Sequence, residues 1–237
     1  MPVASRRSPN SPESKVRDLR RALLRWARSS GRHFFWREPG VDPFAVLVCE
    51  ILLAKTRAEL AAPVAQELLA RFPTPAALAR ARPATLERLL FPLGLHRKRS
   101  RHLIACARSL RDEFGGVVPR SVPALMQLPF VGRYAANAIA CVAFGARVPV
   151  IDANVARIYR RVFSLPPPPE RLALAHDLWD LAGAMLPRAR AKEFNWAVLD
   201  LGGTVCTARA PSCDRCPLAS LCDDSPARRP STIGDAT

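Results

Sequence analysis

Residues 125–140 read LMQLPFVGRYAANAIA. A short helix over 122–127 stops at Pro129, a tight turn ends at Gly132, and a helix of small residues follows over 133–144. Proline cannot continue a helix. Glycine lets the chain turn sharply and leaves the first N–H groups of the next helix pointing outward, where a phosphate is a natural partner. Ala135, Ala136 and Ala138 let two helices approach closely. An ordinary helical hairpin has the same pattern, so this stretch alone leaves a phosphate site and plain packing both open.

Outward from the hairpin the apolar residues keep the helical period. Helices are expected over 16–29, 43–55, 57–72, 100–114, 153–163, 171–185 and 191–202, with short ones restarting at Thr74-Pro75 and Arg82-Pro83. Gly115-Gly116 and Gly145 read as helix stops. PFAVLVCEILLAK, at 43–55, is apolar on almost every side and predicts a buried helix. No stretch alternates with period two, so the chain is expected to be all-α, with a stiff proline run at 166–169 and no internal repeat. Residues 1–14 and 224–237 are polar, rich in Pro and Ser, and expected to be disordered tails.

The chain has 237 residues, 49% of them hydrophobic, which is enough for a core. No apolar run approaches the length of a membrane span, and the first seventeen residues do not read as a secretory signal, so a cytoplasmic protein is expected. The net charge is +16. A large positive excess points to a polyanion, with nucleic acid the default. Only Lys15, Lys55, Lys98 and Lys192 are lysines among 36 basic residues, a bias that a GC-rich genome produces without functional demand.

Seven cysteines divide into two groups. Cys49, Cys106 and Cys141 lie in apolar stretches and read as small buried hydrophobes. Cys206, Cys213, Cys216 and Cys222 have the spacing C-x6-C-x2-C-x5-C. Four cysteines so close are compatible with two disulfides, a zinc site or a cubane iron–sulfur cluster. With no export signal visible, disulfides are disfavoured. Zinc sites usually pair one C-x2-C with a second close pair, and only one is present here. One compact loop wrapping a four-thiolate cluster fits better.

Two carboxylates stand out. Glu50 sits inside an otherwise apolar helix, where it is either a structural hydrogen-bonded group or a proton donor in a pocket. Asp152, in VIDANVARIYRR, follows an apolar run and opens a helix. It reads as an N-cap, which would also hold a catalytic carboxylate rigidly. The loop GLHRKRSRH at 94–102 carries Arg97, Lys98, Arg99 and Arg101, either as a solvated charged face or as a contact to a DNA backbone.

Together these pieces resemble one family, the helix-hairpin-helix DNA glycosylases of the endonuclease III and MutY type. The resemblance runs from about Val16 to Cys222 and rests on LPFVGRY, on VIDANVARIYRR twenty residues later, and on the four-cysteine loop. It implies two helical domains with a DNA-binding cleft between them. One is a six-helix barrel with the hairpin, at 42–147. The other is an iron–sulfur domain, at 15–41 plus 148–223, holding a [4Fe-4S] cluster on Cys206, Cys213, Cys216 and Cys222. The cluster is expected to be structural, ordering a basic loop around Arg209 and Arg215. Gly132, Arg133, Lys55, Leu95 and Arg97 match places that contact or intrude into DNA.

The resemblance also implies roles. The essential carboxylate falls on Asp152, acting on a nucleotide flipped out of the duplex. Lyase-active members carry a lysine at the place of Tyr134, and adenine glycosylases of the MutY type carry serine. Tyrosine there, with Glu50, is similar to the MIG-type thymine/uracil mismatch glycosylases. Tyrosine forms no Schiff base, so hydrolysis without lyase chemistry is implied. The expected partner is double-stranded DNA holding a mismatched or damaged base, bound by a monomer on the nucleoid if the source is prokaryotic. A MutY-like adenine glycosylase without its 8-oxoguanine-reading domain, or a non-catalytic DNA-structure-binding module, are the alternatives. The chain ends fifteen residues after Cys222, which counts against the adenine enzyme. One departure is plain: Phe130 stands where the family hairpin has the first Gly of L-P-G-V-G. Phenylalanine tolerates positive φ badly, so the residue is expected to have negative φ or the hairpin to be altered.

Overall fold

A computed structural model describes residues 12–226. They form helices α1 (Pro12–Ser30), α2 (Pro43–Leu53), α3 (Ala58–Arg71), α4 (Pro75–Ala79), α5 (Pro83–Leu90), α6 (His96–Glu113), α7 (Val122–Leu125), α8 (Arg133–Phe144), α9 (Ala153–Phe163), α10 (His176–Met185) and α11 (Ala191–Thr204). Short 3-10 turns lie between them, and no strand occurs among the described residues. None of these helices is long and apolar enough to cross a membrane.

The chain divides into two compact units. One is His33–Val148, and the other joins the segment up to Arg32 to the segment from Pro149 onward. In the first unit, α2 is the axis of the core: Phe44 through Leu52 are all buried. Asp42 caps α2 by accepting from the Phe44 amide at 3.0 Å, with Pro43 in the first turn. α8 packs against α2, and its buried Ala136, Ala138 and Ala140 leave room for that approach. α8 stops at Gly145, whose φ of +70 lets the Ala146 amide reach back to Ala140 O at 3.0 Å.

In the second unit, α1 is amphipathic. Leu19 and Leu23 are fully buried, which contributes about 2 kcal/mol each, while Arg17, Arg21, Arg25 and Arg28 face outward. α1 packs on α11, and α11 on α9. Asp200 of α11 is 1% exposed. It accepts from the Arg32 amide at 2.9 Å and from Arg32 Nε at 2.8 Å, which fixes the chain where α1 ends.

Several boundaries differ from those that the periodicity predicts or the resemblance implies. Residues 33–41 belong with the unit that follows them, because Trp36 is buried in its core and stacks on Phe34. α1 begins at Pro12, and Ser14 and Ser225 are both buried, so the polar ends at 12–14 and 224–226 are part of the folded structure. The rest of the expected tails lies outside the described residues. α6 begins at His96, not at residue 100, so most of the basic stretch at 94–102 is helix. The segment 171–185 is a 3-10 turn at Leu172–Leu174 followed by α10 from His176.

Candidate functional site

The hairpin turn is built by Leu128, Pro129, Phe130 and Val131. The Val131 amide donates to Leu128 O at 3.2 Å. Phe130 has φ +66, the left-handed value that the third position of a type II turn requires. The turn therefore holds a non-glycine residue in left-handed backbone, and a φ below zero, one of the two outcomes the sequence allowed, is not observed. Two α6 residues one turn apart hold it there. The His102 ring stacks on Phe130, with centroids 3.7 Å apart and planes 11° from parallel. Cys106 Sγ donates to Pro129 O at 2.7 Å. Gly132 follows in an extended conformation, φ −87, with open space where a Cβ would stand. Its expected role in the sharp turn passes to Phe130, and what glycine leaves at 132 is bare backbone at the head of α8. Arg133 and Tyr134 are partly buried in the first turn of α8.

Glu50 is buried in α2, 8% exposed. The neighbouring Cys49 thiol is pushed up, by burial first and by the Glu50 charge second. Two further tips of this unit have left-handed backbone at non-glycine residues: Lys55 (φ 59) and Leu95 (φ 50), both exposed. Arg97 is exposed on α6. Arg99, two residues on, is not part of a charged face. It is 3% exposed, and its guanidinium donates to Leu93 O at 2.7 Å, Ala54 O at 2.8 Å, Gly94 O and Thr56 Oγ1. One buried cation thus ties the residues on both sides of Lys55 to those preceding Leu95. Burial lowers its pKa from the ordinary arginine value.

In the other unit, Asp152 is the N-cap of α9, as expected, and both its oxygens are engaged. Oδ1 accepts from the Val155 amide and Oδ2 from Asn154 Nδ2, each at 2.8 Å. Asn154 Oδ1 accepts in turn from Arg157 at 3.0 Å. Arg157 also donates to Gly202 O at 2.8 Å and to Cys206 O at 2.9 Å. The carboxylate is therefore connected, through an amide and a guanidinium, to the first cysteine of the loop. Gly202 makes the approach possible: a Cβ there would lie 2.7 Å from Asn154 Cβ.

Cys206, Cys213, Cys216 and Cys222 line one cavity of about 180 Å³. Arg161 spans it. Its Nη1 donates to Cys206 Sγ at 3.3 Å and to Thr207 O at 2.8 Å, and its carbonyl accepts from Cys222 Sγ at 3.4 Å. Burial pushes the Cys216 thiol up to about 11, and the three other thiols add to the shift. Four thiolates so placed repel one another unless a positive group sits among them. Among the described residues, no three His, Cys, Asp or Glu converge closely enough for a single ion. A zinc site needs every sulfur about 2.3 Å from one point, whereas four sulfurs around a cavity suit a multi-iron cluster. Arg209 and Arg215 on this loop are exposed, and Arg215 donates to Ser212 Oγ at 3.3 Å.

Comparison with known proteins agrees with both halves. Residues 48–183 match the model of the HhH-GPD superfamily base excision DNA repair proteins. The chain belongs to that superfamily. Residues 206–222, which hold the four cysteines, match the iron–sulfur binding domain of endonuclease III, and the chain is a [4Fe-4S] protein. Among relatives, the thymine-DNA glycosylase of Aeropyrum pernix is 38% identical over 213 residues, covering 89% of this chain and 95% of its own. The adenine DNA glycosylase of Mycobacterium tuberculosis is 39% identical over 196 residues, covering 83% and 64%. The solved structure of a thermostable thymine-DNA glycosylase superimposes with a TM-score of 0.81 at 27% identity, over 90% of this chain and 97% of that one.

Within this HhH-GPD chain, sequence reasoning missed His102, Asn154 and Gly202, and read Arg99 only as part of a charged face or a DNA contact. Each acts through a partner distant in sequence or through a side chain that no spacing rule marks. The only local sign was Asn154, two residues after a capping aspartate, where a side-chain amide reaches the cap's free oxygen.

Proposed function

We propose that the protein is a monofunctional DNA glycosylase that removes thymine or uracil mispaired with guanine. The observation that carries this reading is Tyr134, in the first turn of α8, where lyase-active relatives place an amine. A phenol forms no imine with the deoxyribose, so the bond is broken by water.

The target nucleotide is taken out of the stack, because its glycosidic bond is inaccessible within the duplex. As that bond lengthens, positive charge develops on the sugar. Asp152, with each oxygen held by one donor, is fixed to stabilise it or to take a proton from the incoming water. The water oxygen bonds to C1′, and the base departs with the glycosidic electron pair and gains a proton, leaving an abasic site. Tyr134 lines the base pocket and contacts the flipped pyrimidine. Glu50, buried in α2, orients the water or bonds the base edge. Gly132, Arg133, Arg97, Lys55 and Leu95 engage the duplex. The cluster, held by its four cysteines, supplies structural order to the loop that Arg157 and Arg161 grip. The setting in this reading is the cytoplasm, on the nucleoid of a prokaryote, and the working unit is a monomer.

One observation keeps an adenine glycosylase as the second reading: the mycobacterial enzyme is 39% identical, against 38% for the archaeal one, although this chain covers only 64% of its length. A panel of duplexes holding T·G, U·G, A·G and A·8-oxoguanine, assayed for base release, separates the two. Release from T·G and U·G alone is expected. Release of adenine alone would overturn the pyrimidine assignment, and binding with no release would make the protein a DNA-structure reader.

A further inference from the structure

We propose that Phe130 and His102 form an aromatic ledge that packs against the sugars and base edges of a bound DNA strand. The proposal rests on the reading of DNA as substrate. Phe130 is held at φ +66, a conformation glycine adopts freely and a bulky L-residue does not. Burial does not account for it, because the side chain is 61% exposed. One face of the ring lies on His102 at 3.7 Å, nearly parallel. The remaining surface is presented outward, on a turn anchored by the Cys106 hydrogen bond to Pro129 O. The result is a rigid, exposed aromatic plane at a position where the backbone favours the smallest residue.

The surroundings specify a polyanion with apolar faces. Arg97, Lys98 and Arg101 are exposed on the helix that carries His102, and the charges of Lys98 and Arg101 bear on its ring. Burial and those two cations hold the imidazole below its ordinary pKa, so it stays neutral at pH 7 and stacks as an uncharged surface. Cations beside an aromatic plane are the combination that grips a nucleic-acid strand independently of sequence: charges on the phosphates, rings on sugars and bases.

Phe130→Gly tests this cleanly, since glycine relieves the left-handed backbone and leaves the fold intact. The melting temperature is expected to stay level or rise. The dissociation constant for a short duplex, matched or T·G-mismatched, should rise by about five-fold or more, the lower end for loss of one aromatic–base contact. The slope of log Kd against log salt should not change, because no phosphate contact is lost. Phe130→Tyr should bind as the parent does. Wild-type affinity in Phe130→Gly would overturn the ledge, as would a fall in the salt slope by about one, which marks a displaced cation. If the parent releases thymine while Phe130→Gly binds normally, only the ledge fails. If the parent releases no base but Phe130→Gly loses affinity, the ledge stands and the glycosylase reading fails.

Discussion

The unit His33–Val148 and the unit built from the chain's ends position their candidate residues by opposite means. In the first, Lys55, Leu95 and Phe130 sit at left-handed φ, each costing about 1 kcal/mol or more. Each is braced from behind by α6: Arg99 ties the segments bearing Lys55 and Leu95, and His102 with Cys106 holds Phe130. In the second, Asp152 has an ordinary extended φ, and all its stabilisation lies in hydrogen bonds, from the Asp152 carboxylate through Asn154 and Arg157 to the cluster loop. Left-handed residues occur there too, at Ser164 after α9 and Arg190 before α11, as Leu95 precedes α6, but Asp152 is not among them. Under the proposed function the difference follows from what each group would do. A side chain that has to protrude is thrown outward by an unfavourable turn and held by a brace. A charge that would face a reacting centre is fixed by one hydrogen bond to each oxygen, which leaves lone pairs free.

The sharpest way to break this contrast is at Asp152. Asp152→Asn keeps the cap and much of the hydrogen-bonding shape but removes the charge. Excision should fall by about 10³-fold, the scale of a lost electrostatic contact to a transition state, while duplex affinity is retained. Excision near the parent's rate in single-turnover assays would remove Asp152 from the chemistry. On the braced side, Arg99→Met leaves the carbonyls of Ala54, Leu93 and Gly94 without their guanidinium. A loss of about 2–3 kcal/mol is expected in denaturant unfolding. Arg99→Lys should recover little of it, since one ammonium does not match a fork that bonds two segments at once. A loss below about 0.5 kcal/mol, the ordinary level for a surface site, would show that the two tips do not depend on the clamp.

Gly202→Ala perturbs the hydrogen-bonded side without touching Asp152. The new methyl would stand 2.7 Å from Asn154 Cβ and 3.3 Å from Ile158 Cδ1, so α9 must shift. Overpacking of this kind costs about 1–3 kcal/mol. Because Asn154 carries one of the two donors to Asp152, the rate of base release is expected to fall by about ten-fold, more than duplex affinity does. Equal losses in rate and affinity would mean that the strain spreads through the unit and does not pass along the Asn154 link.

What could be read beforehand divides along the same line. The cysteine spacing, the capping aspartate and the buried α2 are local patterns, and each lies where its pattern indicates. Arg99 was hidden inside a basic run, because its partners at Ala54 and Thr56 lie over forty residues away and burial of a cation leaves no mark in local composition. Phe130 was misjudged for a related reason. The local rule against phenylalanine at positive φ is sound, but it is overridden by a ring 28 residues earlier. The unit boundary moved for Trp36, whose burial against α2 is likewise a tertiary fact.

The smallest expected effect concerns pH on the braced side. His102 has its pKa lowered by burial first, then by Lys98 and Arg101. The unfolded chain, with an ordinary histidine near 6.5, therefore takes up this proton more readily than the folded one. Its contribution to stability is present above that value and is lost as the pH falls through and below it. Melting temperatures at pH 7.5 and pH 5.5 are expected to drop less in His102→Phe, which keeps the stack on Phe130, than in the parent. The other histidines are common to both proteins, so the difference reports on His102 alone. An identical drop would mean that the stack holds Phe130 equally well with a charged ring. The brace on the hairpin would then be indifferent to protonation, as the hydrogen bonds to the backbone carbonyls around Arg99 already are.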